Sequence, residues 1–86
     1  MPTVRLPRVL GSAARAGLTH EVEGTTLAAA LDRLFAGEPA LRPHLLDESG
    51  EIRPHVLIFV DGRRSALGDS VGPDSEIRVL QAASGG

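Results

Sequence analysis

The sequence predicts an α+β domain in which a mixed β-sheet packs on one main helix. A stripe of apolar residues at helical spacing lies between Gly24 and Pro39. The apolar, β-branched segment His55–Val60 is typical of a buried strand. Near the end of the chain, Ile77–Leu80 alternates apolar and polar residues and predicts a half-buried strand. A chain of 86 residues is long enough for one such domain.

The first quarter of the chain predicts a β-hairpin. An opening strand is expected over residues 4–10, and Pro7 inside it indicates a sheet edge or a bulge. Its apolar members are Val4, Leu6, Val9 and Leu10. Residues 11–17, rich in small side chains, predict a turn or a short helical stretch. Residues 18–23 predict a second strand that pairs with the first, and Gly24 ends it.

The main helix is expected to begin after Thr25 and to end near Gly37. Its apolar stripe follows the i, i+3, i+4, i+7, i+8 spacing of one helix face. The members of the stripe are Leu27, Ala30, Leu31, Leu34 and Phe35. Thr25 is predicted to cap the first turn through its hydroxyl. Gly37 is expected at the C′ position, and Pro39 prevents the helix from continuing.

The segment after the helix leads into the strongest predicted strand. Residues 41–46 predict a short turn or half-helix, and residues 47–51 predict a polar turn. In the strand His55–Val60 we expect the side chains at 56, 58 and 60 to face the helix. Leu57 and Phe59 would then lie on the opposite, open face of the sheet.

The second half of the chain ends in a turn, a loop and a last strand. Asp61-Gly62 is a strong turn signal, and residues 63–75 predict a long loop before the strand Ile77–Leu80. The order strand, strand, helix, strand, strand fits a β-grasp if the first and last strands pair in parallel beside each other. We therefore expect a β-grasp domain over residues 1–80 and a flexible tail over residues 81–86.

Composition excludes several functions. The chain has no cysteine, so disulfides, thiolate metal sites, iron–sulfur electron transfer and a cysteine nucleophile are all absent. A formal net charge of -2 argues against general nucleic-acid affinity. No apolar run approaches the length of a membrane span, and no signal peptide is evident, so we expect a cytoplasmic protein.

No catalytic constellation stands out in the sequence. The three histidines, His20, His44 and His55, fall in different segments, so no metal site is expected. No serine lies in the strand–turn–helix setting of a hydrolase nucleophile. All nine basic residues are arginine, so apart from the N-terminus no amine of this chain can attack an activated acyl group.

The chain ends in Ala83-Ser84-Gly85-Gly86, directly after the last predicted strand. Glycine has no side chain and contributes nothing to a core. A Gly-Gly end therefore offers a thin peptide with a free carboxylate at its tip. Such a tip can enter a narrow enzyme channel that a larger residue would block.

Four segments together resemble the MoaD/ThiS family of ubiquitin-like sulfur carriers. They are Gly24–Leu31, Val56–Gly62, Val71–Ile77 and the C-terminal Ala83–Gly86. The likeness covers nearly the whole chain. Within the family, the length and the segment Asp47–Pro54 look more like the molybdopterin-synthase small subunit and the cysteine-biosynthesis carriers. The chain departs from the family pattern at two places. Asp61 replaces the usual turn asparagine, and Leu80-Gln81-Ala82 replaces the apolar-Pro segment often found before the tail. Neither change affects the Gly-Gly end.

The resemblance implies a carrier rather than an enzyme. An E1-like adenylyltransferase would activate the Gly86 carboxylate with ATP and magnesium, and a persulfide or sulfide donor would convert it into a thiocarboxylate. A sulfur-acceptor synthase would then receive the sulfur, for molybdopterin, cysteine, a thiosugar or another metabolite. Ala83, Ser84 and Gly85 would thread into these partner enzymes, and the carrier itself would bind no cofactor.

Partner enzymes need a surface as well as a tail. We expect Leu57, Phe59 and Leu80 to form an apolar partner surface on the open face of the sheet. The arginines that could border it are Arg5, Arg53, Arg63, Arg64 and Arg78, although each also fits an ordinary solvated charge. The alternatives are a ubiquitin-like modifier, joined to target lysines through Gly86, and a β-grasp binding subunit with an inert tail.

Overall fold

The computed structural model describes residues 1–82, so the predictions for Ala83, Ser84, Gly85 and Gly86 lie outside the described residues. Five strands and two helices are present in this part of the chain. They are β1 (Thr3–Arg5), β2 (Thr19–Glu21), α1 (Leu27–Gly37), α2 (Arg42–Leu45), β3 (Val56–Val60), β4 (Arg63–Arg64) and β5 (Glu76–Gln81). Single 3-10 turns occupy Arg8–Leu10 and Pro39–Leu41. No helix among residues 1–82 is long and apolar enough to cross a membrane.

The sheet is mixed and has the strand order β2-β1-β5-β3-β4. β1 and β5 pair in parallel, with Thr3 opposite Glu76, while every other pair is antiparallel. The predicted parallel pairing of the first and last strands is therefore confirmed. This pairing places β5 in the middle of the sheet, and the fold is the predicted α+β β-grasp.

Helix α1 buries the predicted stripe. The buried residues of the helix are Leu27, Ala30, Leu31, Leu34 and Phe35. The prediction for the cap was wrong by one residue, because Thr26 and not Thr25 accepts the backbone N–H of Ala29, at 3.2 Å. Gly37 is the last helical residue and has no positive φ, so it is not the expected left-handed C′ residue.

The start of the chain differs from the prediction after Arg5. Pro7 has no backbone N–H to donate, and the chain turns there into the 3-10 segment, so Val9 and Leu10 are not part of a strand. Leu10 is buried in the core, whereas Val9 is 66% exposed. β1 also lies between two strands and is not an edge. The predicted hairpin with β2 is confirmed.

The turn at Asp61-Gly62 joins β3 to a strand that the sequence analysis treated as loop. Both residues have positive φ, 51° for Asp61 and 83° for Gly62, as two-residue hairpins of this type require. Arg63 and Arg64 then pair with Val60 and Phe59. The prediction of a continuous loop over 63–75 was therefore wrong at its first two residues.

The core lies between the sheet and α1 and is almost entirely aliphatic. Along β3 the side chains at 56, 58 and 60 are buried and those at 57 and 59 are half-exposed, as predicted. On β5, Ile77 and Val79 are buried in the same way. The least exposed large side chains are Val4, Leu27, Leu31, Leu34, Leu41, Leu45, Val56, Ile58, Ile77 and Val79. Each contributes about 1.5–3 kcal/mol of burial free energy before entropy is counted.

Candidate functional site

The sheet face turned away from α1, which we call the open face, brings the three predicted surface residues together. Leu57, Phe59 and Leu80 each alternate with buried residues of their own strands. Leu57 pairs directly with Leu80 across β3 and β5. Leu80 is 40% exposed, and it lines a shallow depression together with Phe59 and Arg78. The apolar patch therefore exists, and its use by a partner stays a prediction.

A row of arginines borders this patch on the open face. Arg78 is in register with Arg5 on one side and with Phe59 on the other, and Phe59 is in register with Arg64. The Glu76 carboxylate links two of these side chains, with Arg5 Nε at 2.7 Å and Arg78 Nη2 at 3.2 Å. These half-exposed ion pairs contribute little to stability. They keep the Arg5 and Arg78 guanidinium groups next to each other on the open face.

Two of the five arginines that could border the apolar patch lie elsewhere. Arg63 pairs with Val60, whose side chain faces the helix side of the sheet, so Arg63 does not belong to the open face. Arg53 donates its Nε to the Pro43 carbonyl at 2.7 Å and thus contacts α2. The expected border therefore reduces to Arg5, Arg64 and Arg78.

Asp61 fixes the beginning of β5. Its carboxylate accepts hydrogen bonds from the Glu76 N–H at 2.9 Å and from the Ser75 hydroxyl at 2.7 Å. The Glu76 N–H and then the Ser75 hydroxyl lower the pKa of Asp61, because both stabilise its charged form. The Ser75 hydroxyl in turn accepts the Gly72 N–H at 2.8 Å. Asp61, noted above as a departure from the family pattern, therefore has a structural role in positioning β5.

The end of β5 is held as firmly as its beginning. Gln81 pairs with Val56, and the Ala82 N–H donates to the His55 carbonyl at 2.8 Å. The pairing of β5 with β1 ends at Arg78, and beyond it the contacts with β3 alone keep the chain attached to the sheet up to residue 82. The residues expected to enter partner enzymes, 83–86, begin directly after this attachment.

A buried carboxylate that the sequence analysis missed ties the 11–17 turn to the end of α1. Glu38 is only 5% exposed. Its carboxylate accepts the backbone N–H groups of Ala16 at 2.7 Å and Arg15 at 3.2 Å. His20 Nε2 lies 3.6 Å from the same carboxylate and 2.7 Å from the Gly17 carbonyl. The only sequence signal was the Gly-Glu-Pro setting of this residue, which resembles an exposed turn.

Residues 1–82 contain no group of three potential metal ligands. Ser65 donates its hydroxyl to the Arg63 carbonyl, a turn contact, at 2.9 Å. Within residues 1–82, the candidate features that remain from the sequence analysis are the open face and the end of β5 at Gln81.

A five-stranded mixed sheet around one main helix, with a Gly-Gly end after its middle strand, defines a ubiquitin-like β-grasp protein. No protein-family model matches the chain. A relative does: small archaeal modifier protein 1 of Haloferax volcanii is 31% identical over 67 residues, which cover 77% of each chain. The chain therefore belongs to the family of that protein, the ubiquitin-like sulfur carriers of the MoaD/ThiS type, and the resemblance found in the sequence is confirmed.

Solved structures agree on the fold. The crystal structure of the Haloferax volcanii modifier superposes with a TM-score of 0.83 at 28% identity, covering 99% of this chain and 98% of that one. CysO of Mycobacterium tuberculosis gives a TM-score of 0.87 at 22% identity, covering 96% of this chain and 100% of that one. The BexX/CysO complex of Amycolatopsis orientalis contains a match with a TM-score of 0.90 at 19% identity, covering 100% of both chains.

Proposed function

We propose that this chain is a sulfur carrier that acts through a thiocarboxylate at Gly86. The observation on which the proposal depends is the Gly85-Gly86 end four residues beyond Ala82, where the chain leaves the middle strand of the sheet. Membership of the ubiquitin-like carrier family supports it. The expected cellular location is the cytoplasm, where ATP and reduced sulfur donors are available.

The proposed chemistry begins with a carboxylate, which is a poor electrophile. A Gly86 carboxylate oxygen attacks the α-phosphorus of magnesium-bound ATP, and pyrophosphate leaves. The resulting acyl adenylate has a good leaving group. Hydrosulfide then attacks the carbonyl carbon, the bond to AMP breaks, and a thiocarboxylate and a proton are released. With a persulfide donor, the acyl disulfide first formed is cleaved by a second thiol.

In this proposal the activating machinery is supplied by the partner enzyme, as the family resemblance implies. The carrier contributes a tail thin enough to enter the active site and a surface that docks the sheet. The open face supplies that surface, with Leu57, Phe59 and Leu80 as its apolar part. Arg5 and Arg78, held by Glu76, would orient the partner through acidic side chains. That a CysO protein of the same fold forms a complex with BexX supports the existence of such docking surfaces.

A second function, attachment to target lysines as a modifier, has specific support from the relative that is named a modifier. Both functions begin with the same acyl adenylate. They differ in the nucleophile that attacks it, which is sulfur for the carrier and a lysine amine for the modifier.

A competition experiment separates the two functions. The chain is incubated with an E1-like enzyme of its host, ATP and magnesium, together with both a sulfide source and a lysine-rich acceptor protein. Intact mass spectrometry is expected to find the free thiocarboxylate as the main product. Accumulation of acceptor conjugates at its expense would favour the modifier. A chain lacking Gly85 and Gly86 serves as the control and should give neither product.

A further inference from the structure

The sequence contains no amine on any side chain. All nine basic residues are arginine, whose guanidinium group stays protonated and is not a nucleophile. There is no cysteine either, so the chain offers no thiol. Hydroxyl and imidazole groups would form only esters or acyl imidazoles, which hydrolyse or transfer onward. The α-amino group of Met1 is thus the single group of the 86-residue chain able to form a stable amide.

The fold keeps that amine away from the tail of the same copy. β1 and β5 are parallel with Thr3 opposite Glu76, so Met1 and Ala82 lie toward opposite ends of the sheet. The six residue-to-residue steps from Glu76 to Ala82 separate the two ends by roughly 20 Å along the strand. Residues 83–86 can extend at most about 14 Å beyond Ala82. An activated Gly86 therefore cannot reach its own α-amino group.

The α-amino group of Met1 is the one amine that a second copy could present. Pro2 is buried, and its carbonyl accepts the Val22 N–H at 2.9 Å, so only Met1 projects from the fold. Acetylation of this group therefore leaves a chain without any amine.

We infer that the lack of lysine leaves the activated tail no side chain to acylate on any copy of this chain, so that no conjugate contains copies joined through a side chain. This rests on the proposed activation of Gly86. In the excluded reaction a side-chain amine would attack the acyl carbon, the bond to AMP would break, and the amine would lose a proton to solvent. The sulfur route loses no carrier to this side reaction at high concentration, and the modifier route cannot build chains of copies linked through side chains.

Replacing Arg33 by lysine provides a matched test of the missing amine, because Arg33 lies on α1, away from the open face. Its side chain is 66% exposed and its Nη2 is 3.6 Å from a Glu23 carboxylate oxygen. Arg33→Lys keeps the charge and the helix propensity and adds one exposed amine. The exposed Arg8, in the first 3-10 turn, supplies a second position as Arg8→Lys.

The test uses two acyl donors. One is the chain with its E1-like enzyme, ATP and magnesium; the other is the chain carrying a synthetic C-terminal aryl thioester, which needs no enzyme. The α-amino group of Met1 is acetylated in every chain, so that the wild type presents no amine. Free lysine is added to parallel samples and traps the activated tail as a mass increase. We expect lysine adducts of the wild type and both variants. Copy-to-copy amides, with the mass of two chains less one water, should form only with the lysine variants.

Two results would overturn the inference. Copy-to-copy amides of the acetylated wild type would show that an unassigned side chain accepts the tail, and peptide mapping would name it. Equally low yields from the lysine variants, with trapping intact, would show that a missing amine is not what limits the reaction. Failure of the enzyme donor alone would instead count against the proposed function, because the thioester donor still decides the inference.

Discussion

Leu80 offers the sharpest test of the open face as a docking surface. Its side chain is 40% exposed, points away from the core and pairs with Leu57, and it lies one residue before the end of β5. Replacing it therefore alters the surface next to the tail while leaving the packing against α1 in place. Leu80→Ala tests the contribution of the apolar area of the side chain. Leu80→Asp tests whether a partner buries this position.

The size of the effect follows from the area still exposed. Complete burial of a leucine side chain contributes about 1.5–3 kcal/mol, so burial of the remaining 40% at an interface contributes about 0.6–1.2 kcal/mol. Leu80→Ala should accordingly weaken docking roughly three- to eightfold. Leu80→Asp would bury an unpaired carboxylate in the interface, which costs more than about 2 kcal/mol, so docking should weaken by roughly thirtyfold or more.

The assay is ATP-dependent pyrophosphate release by the E1-like enzyme as the carrier concentration is varied. The loss should appear as a higher KM with little change in kcat, because docking is altered and Gly86 is not. Val9 is the matched control, since it is exposed, apolar and outside the sheet. Val9→Ala and Val9→Asp should leave KM unchanged. If Leu80→Asp behaves like Val9→Asp while both proteins stay folded, the assignment of the open face is wrong.

Three further predictions concern stability and are tested by thermal and denaturant unfolding. Asp61→Asn should lower stability at neutral pH and reduce its pH dependence: the lowered pKa means that the wild type gains stability above about pH 4 and loses it as the pH falls further. Gly24→Ala should cost more than about 3 kcal/mol, because φ is +155° and a Cβ would meet the Ala30 nitrogen at 2.6 Å. Gly37→Ala, at an open position, should instead stabilise by about 0.4–1 kcal/mol. Glu38→Ala should cost about 3 kcal/mol, since two backbone N–H groups lose a charged acceptor, and Glu38→Gln should cost less.

Each of these three stability predictions has a result that would contradict it. An unchanged pH profile in Asp61→Asn would mean that the contacts with Ser75 and Glu76 do not stabilise the fold. Equal effects of alanine at 24 and 37 would contradict the close approach of Gly24 to α1. A neutral Glu38→Ala would mean that the 11–17 turn does not depend on the carboxylate.

The long periodic elements were predictable from the sequence because their pattern repeats. Five apolar residues define one face of α1, and five consecutive residues define β3, so a single ambiguous position changes neither. The inward and outward sets of β3 followed from the period of two, once a single covered face was assumed. The order of the elements fitted a β-grasp on the assumption that β1 and β5 pair in parallel, and the structure has this pairing.

The short elements could not be predicted in the same way. β4 has only two residues, both arginine, and exists because the Asp61-Gly62 turn places them opposite β3. Thr25 and Thr26 are equally good caps by residue type, and the choice depends on where the first helical N–H groups point. Likewise, Pro7 and Arg8 fit a turn, but the apolar residues around them also fit a strand. The sequence alone could not decide between the two.

In the candidate site, too, the features that follow a periodic pattern were predictable and the others were not. Alternation along β3 and β5 predicted that Leu57, Phe59 and Leu80 share a face, and the structure confirms that they do. Arg53 and Arg63, which could have bordered the patch, lie elsewhere: Arg53 is outside every strand and contacts Pro43, and the side on which Arg63 lies depends on the pairing of β4 with β3. The contacts of Glu38 join segments 22 and 23 residues apart, beyond the reach of any local pattern.

The measurement that tests the central claim most directly is the intact mass of the chain after incubation with its E1-like enzyme, ATP, magnesium and a sulfide source. The account predicts a gain equal to the exchange of one oxygen for sulfur, located at Gly86 by fragmentation and absent from a chain lacking Gly86. An unchanged mass, in the presence of an enzyme that activates another carrier of this family, would contradict the account.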